Sequence, residues 1–303
     1  MTIATGVSTK VGFSVEDLYG VVNTDVELQE VTFTEFDLDL TRDELADSAI
    51  REDRMERYSL SGNRSIAGSI TMQLSHALAI PFFESALQSV SVSKVLKTGV
   101  TRKSFTIEEQ TTSLGQFRVF TGVVVDKFTI SVAQNGIVTV KFDLIGKAVT
   151  DYTNTSIAAD PYTPEALVTP YQGQNVGGFM KEGGTTVGFI TAFSLDGSNG
   201  HTKNYAIGAD TVRDLTTSNL DASGSITVFF EDVLMYNKFI NGTISSIAVQ
   251  LKQGANTTQF NCPAIKYTGA KKTISGSGAI TMTMPFKALF DATAGSHIVI
   301  TES

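Results

Sequence analysis

Two runs of alternating residues, joined by an Asn-Gly pair, constrain this chain more than any other feature. In the first run Val124, Phe128, Ile130 and Val132 share one parity, with Thr129 and Ser131 on the other. In the return run Val138, Val140, Phe142 and Leu144 point one way, while Thr139, Lys141 and Asp143 point the other. Successive side chains of a strand face opposite sides, so each run offers one apolar and one wet face. Asn135-Gly136 lies between them and is a strong hairpin signal, because both residues tolerate positive φ. The pattern predicts a half-buried antiparallel hairpin with its return strand over 137–145. Residues 69–74 add a third strand, with Ile70, Met72 and Leu74 on one face.

A single segment has helical periodicity. Pro81 stands at the first helical position, where its missing N–H costs nothing, and Phe83, Ala86, Leu87 and Val90 follow at helical spacing. Glu84 falls in the first turn, where a negative charge suits the helix dipole. This helix is expected to cover one face of the sheet. The rest of the chain is rich in Thr, Ser, Val, Ile, Phe and Gly and has 6 prolines, a mixture of short strands and tight turns. At 303 residues, with about 150 per domain, two domains are expected.

Residues 41–64 carry Asp43, Glu44, Asp47, Glu52, Asp53 and Glu56 against Arg42, Arg51, Arg54, Arg57 and Arg64. This density of mixed charge is read as a long contact loop or solvated surface segment and not as a strand. Residues 151–187 hold Pro161, Pro164 and Pro170, then Gly177, Gly178, Gly183 and Gly184, with weak periodicity. A domain boundary is placed there. Beyond it the first half recurs. Thr34-Glu35-Phe36-Asp37-Leu38-Asp39 matches Thr191-Ala192-Phe193-Ser194-Leu195-Asp196 as T-x-F-x-L-D. Ala67-Gly68-Ser69-Ile70-Thr71 matches Ser223-Gly224-Ser225-Ile226-Thr227, and Asn135-Gly136-Ile137-Val138-Thr139 matches Ser277-Gly278-Ala279-Ile280-Thr281. The order is kept. The expected division is 1–155, a linker at 156–187, and 188–303, with an internal duplication. The competing expectation makes 188–303 an unrelated outer domain.

Catalytic chemistry finds little to work with. His76, His201 and His297 sit in no catalytic motif, and each is read as an ordinary surface or structural residue. Cys262 is the only cysteine and is read as a small buried hydrophobe, so no intrachain disulfide forms. Asp196, Asn199 and Asn204 lack calcium-loop spacing. Gly276 and Gly278 are read as a turn and not a phosphate loop, since no Lys follows. No catalytic, cofactor-binding or metal-binding residue is therefore assigned. With a net charge of −8 and no basic run, the chain is not expected to grip nucleic acid. No signal peptide or membrane span is read, so a soluble protein kept in the cell that makes it is expected.

Several segments resemble a known family. They are Val11-Gly12-Phe13 with Glu16, Tyr19 and Gly20; Ser48-Ala49-Ile50-Arg51-Glu52-Asp53-Arg54; Ala67-Gly68-Ser69-Ile70; and Pro81-Phe82-Phe83-Glu84-Ser85-Ala86-Leu87. In this order they resemble tail tube proteins of long-tailed bacteriophages. The resemblance implies a mainly β chain of two tandem β-sandwich or barrel domains, each with a flanking helix. Such domains contribute strands to a ring-wide β-barrel, and the rings stack into the conduit for DNA ejection. It implies a self-assembling virion protein without cofactors, put together in the host cytoplasm. Its partners would be further copies, a tape-measure protein, and terminator and baseplate or tail-tip proteins, with DNA passing unbound and no membrane involved. The long loop and the N-terminal arm would reach neighbouring subunits, which assigns Glu16, Tyr19, Arg51, Asp53 and Arg54 to assembly contacts. Tubes of this kind are usually six-fold, so a two-domain chain implies a homotrimeric, pseudo-hexameric ring. The alternative from another class is a two-domain β-sandwich binding module of adhesin or lectin type.

Overall fold

The computed structural model describes residues 3–23, 26–158, 162–174, 178–188, 190–231, 233–274 and 277–303. Pro161, Gly177 and Gly276 lie outside them. The chain opens with a 3-10 turn (Gly6–Ser8) and β1 (Thr9–Val15), then β2 (Gln29–Val31), β3 (Glu35–Phe36), β4 (Asp39–Ala46) and the long β5 (Ser59–Gln73). Helix α1 (Ile80–Ala86) precedes β6 (Val95–Lys97), β7 (Phe105–Thr111), β8 (Gln116–Ala133), β9 (Thr139–Gly146) and β10 (Ala148–Val149). Four strands follow: β11 (Phe179–Glu182), β12 (Thr185–Thr186), β13 (Ile190–Ser198) and β14 (Thr202–Asn204). Next come β15 (Asp214–Thr216), β16 (Asp221–Phe229), helix α2 (Leu234–Ile240) and β17 (Ser245–Gln253). The chain finishes with β18 (Asn256–Tyr267), β19 (Lys271–Thr273), β20 (Thr281–Ala288) and β21 (Val299–Glu302). The fold is mainly β, as the alternation implied, and every pairing between named strands is antiparallel.

One pairing pattern occurs twice. In the first half it runs β4–β5–β9–β8–β7–β1. In the second it runs β13–β16–β20–β18–β17–β11. A short helix follows the second strand of each series, α1 after β5 and α2 after β16. The matched glycines occupy the same point. A Cβ on Gly68 would lie 2.4 Å from Leu38 Cα, and one on Gly224 would lie 2.4 Å from Ser194 O. Only glycine lets the neighbouring strand approach so closely.

The two series are joined edge to edge. The last part of β8 pairs with β13, from Ala133 opposite Ala192 to Lys127 opposite Ser198. The apolar parity of the sheet faces a core that includes residues of both halves, from Val11 to Ile300. Helix α1 sits within it. Phe83 packs at 5.6, 5.1 and 5.8 Å (ring centroids) from Phe128, Phe142 and Phe260, so one ring ties both halves together. Burying each such ring contributes about 1.5–3 kcal/mol.

The structure departs from the sequence reading in five respects. The Asn135-Gly136 turn is wider than a two-residue hairpin, and neither residue has positive φ. Val138 instead donates to Tyr171 O at 2.9 Å and accepts from Leu74 N at 2.8 Å, which draws it away from β8. Helix α1 stops at Ala86, since Gln88 turns left-handed at φ 49°; Val90 is therefore exposed and off the buried face. Glu84 is buried and not placed to serve the dipole: it is ion-paired with Lys103 and accepts from Ser91 N at 2.8 Å. Residues 41–64 are mostly strand, because β4 and β5 pair from Asp39 opposite Ala67 out to Ala46 opposite Ser59. Side-chain charge sets the exposure of these strands, while backbone pairing sets their conformation. Finally, the segment read as linker carries β11 and the fully buried Tyr171, whose hydroxyl lies 2.9 Å from Thr258 Oγ1.

Candidate assembly surfaces

Three surfaces stand out. The first is the helix-free face of the long sheet. Crossing from β5 to β19, it presents Thr71, then Lys141 and Asp143, then Lys127 and Thr129. Beyond the β8–β13 junction come Ser194 and Asp196, then Ser223, Ser225 and Asp221, then Lys287 and Thr283. The wet face expected for Thr139, Lys141 and Asp143 is thus one part of a polar surface spanning both halves. Its charges are largely neutralised in place: Lys287 and Asp221 lie 3.0 Å apart, and Lys141 and Asp143 3.9 Å. At the two ends of this face, β3 with β4 on one side and β19 on the other are each paired along a single edge among the described residues. Glu35, Asp37 and Asp39 stand exposed at one, Lys271, Lys272 and Thr273 at the other. The carboxyl of Asp39 is pushed up by partial burial. The Leu40 N–H and the Arg118 guanidinium outweigh this and hold it below the usual carboxylate range.

The second surface is the β4–β5 hairpin. Its tip is organised by ion pairs between close neighbours: Arg51 with Asp47, and Arg57 with Asp53 at 2.9 Å. Arg51 also lies over the Tyr58 ring, 5.5 Å from its centroid. These contacts depress the carboxyls of Asp47 and Asp53. Arg54 has φ 56° and no ion-pair partner among the described residues. Around these charges the tip exposes Ile50 at 102% and Met55 at 69%. Leu45, Tyr58 and Leu60 are exposed on the same hairpin, so its apolar side chains are grouped and not scattered singly.

The third surface surrounds the N-terminal segment, and here the assigned residues point inward. Glu16 accepts hydrogen bonds from Gly20 N, Ser104 Oγ and Gly122 N at 2.7 Å each, and from Thr106 Oγ1 at 3.0 Å. Tyr19 lies under the Arg102 guanidinium at 4.8 Å and near Lys147 at 5.3 Å, and burial raises its phenol. Of the expected arm, residues 9–15 form β1 inside the sheet, while Ile3 and Val7 are exposed. The structure therefore groups Arg51, Asp53 and Arg54 at one projecting tip and sets Glu16 and Tyr19 apart from it.

Sequence reasoning passed over Glu35, Asp37, Asp39 and Lys271. The signal for Asp39 was present, since it ends the T-x-F-x-L-D repeat and its counterpart Asp196 sits in the β8–β13 junction. The remaining chemistry is modest. His201 packs Nδ1 at 3.0 Å from Asp126 Oδ1 and Nε2 at 3.3 Å from Gln88, an amide, which offers it no nucleophile. Burial pushes the Cys262 thiol up to about 12. Among the described residues no group of three or more His, Cys, Asp or Glu is placed to hold a metal, and no helix is long and apolar enough to cross a membrane.

A search of curated proteins finds no match. The sequence profile described as phage tail tube protein matches residues 6–288, a span that takes in both pairing series and the segment between them. The chain belongs to the phage tail tube protein family.

Proposed function

We propose that three copies of this chain close into one ring of a phage tail tube, each copy supplying two tube domains, 1–155 and 188–303. The observation that carries this reading is the twofold occurrence of one strand order, together with the edge-to-edge joining of the two series through β8 and β13. A chain that holds two equivalent units side by side needs half as many copies to complete a ring. The polar face of the sheet would then line the lumen, since its other face is occupied by α1 and the core. Ser, Thr and mutually neutralised charges let DNA pass without capture, because a phosphate backbone is held by clustered basic residues, and among the described residues Lys127 and Lys141 stand beside Asp143 and Lys287 beside Asp221. The hairpin tip would touch the next ring. In this role the protein self-assembles in the host cytoplasm around a tape-measure protein, meets terminator and tail-tip proteins at its ends, and becomes part of the virion tail.

The test is electron microscopy of the purified protein over a range of concentrations, with end-on views averaged. Rings or tubes with three chains per ring are expected; six chains per ring would sink the two-domain reading. Monomers at every concentration, even with tail-tip initiator proteins added, would sink the tube reading itself.

A further inference from the structure

The two open edges of that polar face carry a more specific message, which rests on the ring reading above. We infer that β19 of one copy pairs antiparallel with β3 and β4 of the next, in a register that sets Lys271 opposite Asp39, Thr273 opposite Asp37, and Ala270 opposite Leu40.

The template is inside the chain. Both β8 and β19 are held by the strand that returns from their hairpin, and in equivalent register: Ser131 lies opposite Thr139, and Thr273 opposite Thr281. The T-x-F-x-L-D repeat aligns β13 with the stretch from β3 into β4. In the in-chain junction Asp196 faces Thr129 and accepts its hydroxyl at 2.7 Å, Ser194 faces Ser131, and Gly197 faces Phe128. Carrying each residue to its counterpart in the other half gives the register stated.

Three features of the free edges agree with it. Charge is complementary: Glu35, Asp37 and Asp39 line one edge and Lys271 and Lys272 the other, all exposed. In the in-chain junction a neutral Thr meets the repeat's aspartate; in the proposed one a Lys does, and oppositely charged residues directly across an antiparallel pair stabilise it. Volume is exchanged in compensation. In the in-chain junction the large member is Phe128 and the small one Gly197, where an added Cβ would fall 2.2 Å from that ring. Between copies the small member is Ala270 and the large one Leu40. Ile274, 65% exposed beyond the end of β19, comes opposite the half-buried Phe36, as Val132 lies opposite Phe193 within the chain. Pairing also removes two open strand edges, which a soluble β protein otherwise has to shield.

The test is disulfide trapping between copies. Cys262 is buried and takes no part. Chains carrying both Asp39→Cys and Lys271→Cys, or both Leu40→Cys and Ala270→Cys, are assembled, oxidised and run on denaturing gels without reductant. A ladder ending at a closed-ring species is expected from at least one pair, and at most a dimer from any single cysteine. Lys271→Glu should raise the concentration needed for assembly by roughly tenfold, by placing like charges opposite. Lys252→Glu, on β17 and away from both edges, should not. Rings or tubes in which neither pair forms a ladder and Lys271→Glu assembles normally would overturn this register and leave the tube reading standing. A native chain that never assembles, with initiators present, overturns both.

Discussion

The β4–β5 and β13–β16 connections occupy the same place in the two pairing series, yet they are used in opposite ways. The first extends as a paired hairpin whose tip shows charge and apolar side chains to solvent. The second, residues 199–220, folds back onto the first half and is fastened there. Asn199 Nδ2 donates to Ala86 O at 2.8 Å and Val125 O at 3.2 Å, and Lys203 donates to Ile66 O at 3.0 Å. Tyr205 donates to Arg64 O at 3.1 Å, and Leu215 and Val212 pack on Val124. Placing two versions of one unit in a single chain frees one connection to serve as internal glue while the other faces outward. A chain with one unit per copy would have to use the same loop for both tasks.

That contrast breaks most completely at the hairpin tip. Replacing residues 48–57 by a short Gly-containing turn removes exposed residues and no core, so thermal stability should change by no more than about 0.5 kcal/mol. Ring formation should persist while stacking into tubes is lost, a separation that end-on and side views in electron microscopy would display directly. Tubes of normal length would show that ring stacking does not pass through this tip.

The opposite result is expected from the fastened connection. Leu215→Ala opens a cavity beside Val124 and Val212 and should cost about 2–5 kcal/mol in denaturant unfolding. Asn199→Ala should cost about 1–3 kcal/mol, because it leaves two buried carbonyls without their donor. Both variants that still fold should build tubes of ordinary geometry. If either one instead left stability unchanged and blocked stacking, the division of labour between the two connections would be wrong.

How much of this was legible in the sequence depends on whether the information was local. The alternation of Val138, Val140, Phe142 and Leu144 identified a strand and its buried face correctly, since period-two burial is written in consecutive residues. The Asn135-Gly136 turn was not formed as read, because Tyr171, distant in sequence, captures the backbone of Val138. The charged hairpin was mistaken for an irregular loop for a related reason. Arg42, Asp43 and Glu44 advertise solvent, and their strand conformation comes from pairing with Ser61 to Arg64, which a propensity argument does not see. Asp39 and Lys271 went unnoticed as candidate contacts because each looks like an ordinary surface charge. Only the topology shows that they sit at equivalent points on two open edges of one sheet.

The smallest expected effect is on pH dependence, and it sharpens the comparison between the two connections. Arg51 and Arg57 hold the carboxyls of Asp47 and Asp53 below their ordinary values. A carboxyl depressed by folding contributes its full share above the unfolded value of about 4 and loses it as pH falls through the lower folded value. The protection factors of the tip amides, taken against the intrinsic exchange rate at each pH, should therefore hold steady from neutrality to about pH 4 and fall below it. Arg51→Ala, which frees Asp47, should move that onset upward. The pair joins residues four apart within the tip and no distant part of the chain, so its loss should cost little global stability. In the fastened connection the amides of Asn199 and His201 donate to Asp126 O and to the Asp126 carboxylate, each at 2.8 Å, beside the Asn199 bonds to buried carbonyls. Their protection should outlast that of the tip as the pH is lowered. If both connections lost protection together, the tip ion pairs would be irrelevant to its order, and the hairpin would be held by its strand pairing alone.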